Sequence, residues 1–259
     1  MAKPCQPITV ADVKASFNKK VRDHFTVKWF GRPIADAITP YFYNNCWTAN
    51  GVTLFRIIVF FIGLACFLLP YDWGPALAAL AFYIGFIMDC VDGNVSRLRN
   101  SATFFGKFID GLADMLYVGL APLMAGLGIW INTGEGVYLL CGALTSCGAI
   151  MTQALRSRVM FFEEWMVAQS GPITAETEET LATARKCIGW ITLCWLSLTF
   201  FAPAILLVPG SVKVYVLLLV GLQFPLELAW CGFLVLLASG MLRRGRRSVH
   251  AAIVEDETA

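Results

Sequence analysis

Long apolar runs alternate with short polar connections along this 259-residue chain. Six runs approach or exceed the roughly 20 residues that a helix needs to cross the hydrocarbon of a bilayer. They cover residues 51–69, 74–91, 107–131, 137–157, 187–208 and 213–242. The connections "PYDW", "NTGEG" and "PGS" after the first, third and fifth runs are too short for anything but tight turns. The expected fold class is therefore an all-α integral membrane protein of six transmembrane helices.

Before the first run, residues 11–45 mix apolar, aromatic and basic positions with no run long enough to span. Phe17, Val21, Phe25, Lys28 and Trp29 recur at helical spacing. Two readings fit. One is an N-terminal amphipathic helix lying in the membrane interface; the other is an extension packed on the protein core. The pattern divides the chain into an extension over 1–50, a six-helix catalytic domain over 51–242 and a tail over 243–259. That tail opens on the basic "RRGRR" and then turns acidic. The opening residues have no apolar stretch after the first lysine, so no cleaved signal peptide is expected.

Composition supports the membrane reading. Hydrophobic residues make up 58% of the chain and charged residues 15%, against about a quarter charged in soluble domains. The nine cysteines show no CxxC spacing and read as small hydrophobes. Charge placement sets the orientation. With the N-terminus in the cytosol, Lys213 is the single member of the twenty lysines and arginines that falls at the outer side, a strong positive-inside bias. Arg56, Lys107 and Arg156 lie near the inner ends of spans. The polar stretch 169–185 becomes a cytosolic loop, and Arg185 and Lys186 become anchors of the fifth span.

Four aspartates break the apolar pattern. Asp89 and Asp92 stand at i and i+3 where the second span ends, and Asp110 and Asp114 at i and i+4 where the third begins. Each pair shares one face of its helix. Facing helices would bring four carboxylates into one small volume, where they repel unless cations neutralise them. All-oxygen ligands suit Mg²⁺ or Mn²⁺, and two ions fit four carboxylates. Gly93 and Gly106 flank the loop between the pairs, and Arg97 and Arg99 could meet phosphate oxygens. The residues themselves point to divalent cations and a phosphate-bearing substrate at the cytosolic membrane face. A cation or proton transporter using the carboxylates as its path is the rival from another class.

The stretch "DCVDGNVSR", "LRNSATFF", "GKFIDGLAD" resembles the signature of the CDP-alcohol phosphotransferase family: D-x-x-D-G-x-x-A-R, eight residues, G-x-x-x-D-x-x-x-D. Every fixed position matches except that Ser96 replaces the alanine. The resemblance implies attack of an acceptor hydroxyl on the phosphorus of a CDP-linked alcohol, often CDP-diacylglycerol, with release of CMP. It implies that Asp89, Asp92 and Asp110 bind metal, that Asp114 binds metal and serves as general base, and that Gly93, Arg97, Thr103 and Gly106 lie against the nucleotide. Upstream, "TANGVTLFR" is similar to the family's P-N-x-x-T-x-x-R, with Ala49 in place of proline. On that likeness Asn50 and Thr53 line the cytidine pocket; otherwise Asn50 is a plain helix cap. "QALRSRV" is weakly similar to a stretch found in branches with phosphorylated acceptors, which makes Arg156 and Arg158 candidate acceptor contacts. They serve equally well as positive-inside anchors.

The partners expected are a CDP-alcohol donor, an alcohol acceptor, membrane lipids and, by the resemblance, a second copy in a homodimer. No nucleic-acid partner is expected. A bacterial inner membrane or its equivalent is the expected location. A soluble CDP-alcohol donor with a lipid hydroxyl acceptor, diacylglycerol or ceramide-like, is the other branch of the same chemistry.

Overall fold

The computed structural model describes residues 7–17, 27–70, 73–170, 201–236 and 239. Among them the regular elements are all helical. After a short first helix, α1 (Val10–Ala15), come α2 (Arg32–Asn44), α3 (Ala49–Cys66), α4 (Gly74–Leu98), α5 (Phe104–Thr133), α6 (Gly136–Ser170) and α7 (Val212–Leu236). A 3₁₀ turn covers Ala202–Leu207, and a π-turn interrupts α7 at Leu219–Gln223. Five segments are long and apolar enough to cross a membrane: α3, α4, α5, Gly136–Arg158 of α6, and α7. Most of the fifth predicted span, 187–208, lies outside the described residues. So do Val21, Phe25, Arg185, Lys186 and the tail 243–259.

Local chemistry sets the helix ends. Thr48, rather than Asn50, caps α3: its hydroxyl accepts from Gly51 N–H at 3.1 Å. Thr103 caps α5 in the same way, accepting from Gly106 N–H at 3.0 Å. Each cap satisfies an orphan donor of its first turn. Gly134, at φ 76°, closes α5 in the left-handed conformation that favours glycine. The next connection is tied to the one before α7 by an ion pair, Lys213 Nζ to Glu135 Oε1 at 2.6 Å. "NTGEG" and "PGS" thus lie at the same end of the bundle.

The second predicted span overruns its expected end. Residues 74–91 were expected to span, but α4 continues to Leu98 and carries the whole "DCVDGNVSRL" segment in helical register. Its last two turns stay helical because Val91, Asp92, Asn94 and Val95 are buried against neighbours. Two apolar clusters hold the bundle. One joins Phe60, Leu64 and Phe67 of α3 and its end to Phe82 of α4, Ala121, Ala125 and Ile129 of α5, and Tyr215 and Val216 of α7. The other joins Ala35 of α2 and Val52 of α3 to Ile87, Val91 and Val95 of α4. Close approach of α5 and α6 depends on glycine: a Cβ on Gly126 would stand 2.5 Å from Tyr138 O, and one on Gly142 2.5 Å from Pro122 O.

Within the extension, α2 has a buried and an exposed side. Ala35 and Thr39 of α2 are fully buried against the bundle, while Ile34 and Tyr41 face outward beside the exposed Trp29. Ile8 N–H donates to Asn44 Oδ1 at 2.9 Å and ties the start of the chain to the end of α2.

Candidate active site

Three spans build the site. The i, i+3 spacing puts Asp89 and Asp92 on one face of α4, and the i, i+4 spacing does the same for Asp110 and Asp114 on α5. One carboxylate oxygen from each of Asp89, Asp92 and Asp110 lies within 4.8 Å of the other two. Asp92 is buried, and Thr53 of α3 donates its hydroxyl to Asp92 Oδ2 at 2.8 Å. Side-chain exposure rises from 38% at Asp89 to 46% at Asp110 and 56% at Asp114, so the cage opens toward Asp114.

Arg56, buried on α3, threads its guanidinium into this cage. Nη1 lies 2.6 Å from Oδ1 of both Asp89 and Asp110, and Nη2 pairs with Asp114. One guanidinium cannot balance four carboxylates. Arg156 of α6 also acts electrostatically on Asp114. Negative charge still exceeds positive, and at these separations like charges cost several kcal/mol unless further cations enter. Three converging oxygens, with no sulfur or imidazole among them, fit a hard divalent cation. Tyr117, one turn beyond Asp114, closes the floor, its ring 5.4 Å from Phe60 and 5.2 Å from Phe82.

Among the expected nucleotide contacts, Asn50, Thr103 and Gly106 lie together. A Cβ on Gly106 would stand 3.1 Å from both Asn50 Oδ1 and Thr103 Oγ1, so Asn50 reaches across from α3 to the start of α5. The guanidinium of Arg97 lies over Gly93, with Nη1 3.4 Å from where a Cβ on that glycine would be. Arg99 instead stacks on Tyr43 at 4.9 Å and donates to its carbonyl at 3.2 Å, facing away toward the extension. Arg158 is exposed, and among the described residues no hydrogen bond or ion pair joins it to the aspartates. Glu227, fully buried on α7, accepts from Gln223 Nε2 at 3.2 Å, which answers its placement in an apolar span with a polar neighbour.

Sequence spacing brought the aspartates together but passed over Arg56 as a site residue. Its signal was available: an arginine inside an apolar span, one turn beyond Thr53, needs an acidic partner.

Helices that span a membrane and a carboxylate cage at one end of them define a membrane-embedded enzyme of phosphate-ester chemistry. The profile of the CDP-alcohol phosphatidyltransferase family matches residues 46–219. A CDP-diacylglycerol–glycerol-3-phosphate 3-phosphatidyltransferase from Salmonella paratyphi A is 30% identical over 145 residues, which are 56% of this chain and 73% of that protein. The enzyme of the same name from Escherichia coli K12 is 29% identical over the same shares. The chain belongs to the CDP-alcohol phosphatidyltransferase family. It is a transferase of substituted phosphate groups that works in phospholipid synthesis, with a CDP-alcohol as donor and an alcohol as acceptor, and the transporter reading falls away.

Proposed function

We propose that the protein transfers the phosphatidyl group of CDP-diacylglycerol to a hydroxyl of glycerol 3-phosphate and releases CMP. The observation that carries this reading is the convergence of Asp89, Asp92, Asp110 and Asp114 around one cationic centre at the open end of the bundle. The donor and acceptor are those in the names of the relatives. The proposed location is a bacterial inner membrane or its equivalent, with the site at the cytosolic face and the chain paired as a homodimer.

In this reading the four aspartates hold two Mg²⁺ or Mn²⁺ ions. Such ions supply Lewis-acid neutralisation of the donor pyrophosphate and of the charge that develops on CMP. The chain's own residues do the rest. Asn50, Thr53, Gly93, Thr103 and Gly106 line the cytidine side, and Arg97 meets the donor phosphates. Thr53 fixes the Asp92 carboxylate by its hydrogen bond. The acceptor enters from the exposed side of Asp114, where Arg156 attracts its phosphate. Asp114 takes the proton of the attacking hydroxyl. The new bond joins the acceptor oxygen to the phosphorus that bears diacylglycerol; the bond to the bridging oxygen breaks, and that oxygen leaves with CMP. Trp29, just before α2, and Tyr41 on α2 are exposed, and in this reading they keep the site level with the lipid headgroups.

The test is a product survey by mass spectrometry. Purified protein receives CDP-diacylglycerol with glycerol 3-phosphate, inositol phosphate, serine or a neutral polyol, and in parallel CDP-choline with diacylglycerol. Phosphatidylglycerol phosphate and CMP should form with Mg²⁺ or Mn²⁺ and vanish with EDTA. Product from CDP-choline alone would instead assign the soluble-donor branch, and full activity in chelator would remove the metal reading.

A further inference from the structure

Asn94 stands inside the signature at a position that the family pattern leaves open, yet its side chain is fully buried. Its amide nitrogen donates to Asp36 Oδ1 at 3.1 Å and to Thr39 Oγ1 at 2.9 Å. Its amide oxygen accepts from Arg32 Nη1 at 2.8 Å and from Arg97 Nη2 at 2.6 Å. Both donors and both acceptor sites of the amide are used. The orientation is over-determined: a flipped amide would face two guanidinium groups with N–H and a carboxylate with oxygen. Thr39 is itself fixed, donating to Ala35 O at 2.6 Å. Phe17 completes the arrangement, with its ring centre 4.3 Å from the guanidinium carbon of Arg32 and 4.8 Å from that of Arg97.

Apart from Asn94 and Arg97, these groups come from residues 17, 32, 36 and 39, ahead of the stretch 46–219 that matches the family. We infer that the N-terminal extension is part of the donor site: through Asn94 it holds Arg97 in the pose that receives the CDP phosphates. Asn94, Asp36 and Thr39 are positioning residues, and Phe17 is the platform on which the arginine rests. The physical reason is pre-organisation. An arginine has several rotatable bonds, and fixing it before the ligand arrives removes an ordering cost from binding. This inference rests on the reading of Arg97 as a phosphate contact and deepens it.

Full-length protein in lipid nanodiscs with Mg²⁺ is titrated calorimetrically with CDP, a probe that does not depend on the acceptor. Arg97→Ala should weaken CDP binding by roughly 10- to 100-fold, the range of a hydrogen bond to a charged group. Thr39→Val keeps the shape, removes the hydroxyl, and should weaken CDP binding by about threefold to tenfold, while Thr39→Ser should restore it. Asn94→Leu should weaken it by about tenfold, and the double variant Asn94→Leu/Arg97→Ala should be no weaker than Arg97→Ala alone, because one interaction is lost once. If Asn94→Leu fails to fold, the threonine pair carries the test. CDP affinity unchanged in Arg97→Ala overturns the phosphate reading of Arg97, and the inference with it. A weakened Arg97→Ala beside wild-type affinity in Thr39→Val and Asn94→Leu overturns the inference alone. Failure of Thr39→Ser to recover affinity, or additive losses in the double variant, assigns the network a merely structural role.

Discussion

The guanidinium of Arg56 on α3 meets the carboxylate of Asp110 on α5 at 2.6 Å, and the same nitrogen stands 2.6 Å from Asp89 on α4. One side chain thus ties together the three spans that build the site. Arg56→Ala would leave like charges facing one another with no internal cation. Removal of one partner from a fully buried ion pair costs about 3–5 kcal/mol. The three carboxylates here are more than a third exposed, so water screens them and about 1–3 kcal/mol is the expected loss. In thermal melts with EDTA, Arg56→Ala should unfold well below wild type, and added Mg²⁺ should narrow the gap. Arg56→Lys should fall between the two, since an ammonium cannot span three carboxylates as a planar fork does. Equal melting of wild type and Arg56→Ala in EDTA would mean that the arginine does not hold the site together.

Gly126→Val probes the contact that sets α5 against α6. A Cβ there would stand 2.5 Å from Tyr138 O, a backbone atom that cannot swing aside. Overpacking of this kind costs typically 1–3 kcal/mol or more. The variant should melt earlier and lose activity in proportion to its unfolded fraction. Normal stability would show that the two helices cross more loosely.

Arg156 gives the acceptor side a separate test. Arg156→Ala should raise the KM for glycerol 3-phosphate by roughly 10-fold or more, as expected for a hydrogen bond to a charged group, and change the KM for CDP-diacylglycerol little. Arg158→Ala is the companion variant: an arginine that only anchors the span should leave both constants unchanged. A rise in both constants for Arg156→Ala would point to a folding defect. No change would show that the acceptor's anion is recognised elsewhere.

The aspartate spacing was legible because it is local. A helix converts i, i+3 and i, i+4 into shared faces whatever surrounds it. Helix ends were less legible. The second span was expected to stop at 91, yet α4 continues to Leu98, because burial of Val91 and Val95 depends on α2 and α3, whose positions no window along the chain contains. Thr48 rather than Asn50 caps α3 for a simpler reason: both residues are good caps, and geometry chooses. The links of Arg56 to Asp110 and of Asn94 to Asp36 join residues 54 and 58 positions apart. They are tertiary contacts, and a polar residue in an apolar segment announces only that a partner exists.

The central claim is that the cage performs the transfer with Asp114 as its base. It is tested most directly by CMP release from CDP-diacylglycerol and glycerol 3-phosphate, measured with Mg²⁺ for wild type and for Asp114→Asn. Loss of a general base costs about 10²–10⁴ in rate. The asparagine variant should therefore turn over at least about a hundredfold more slowly while still binding CDP. Turnover above about a tenth of wild type would contradict the account, since no general base of this kind contributes so little.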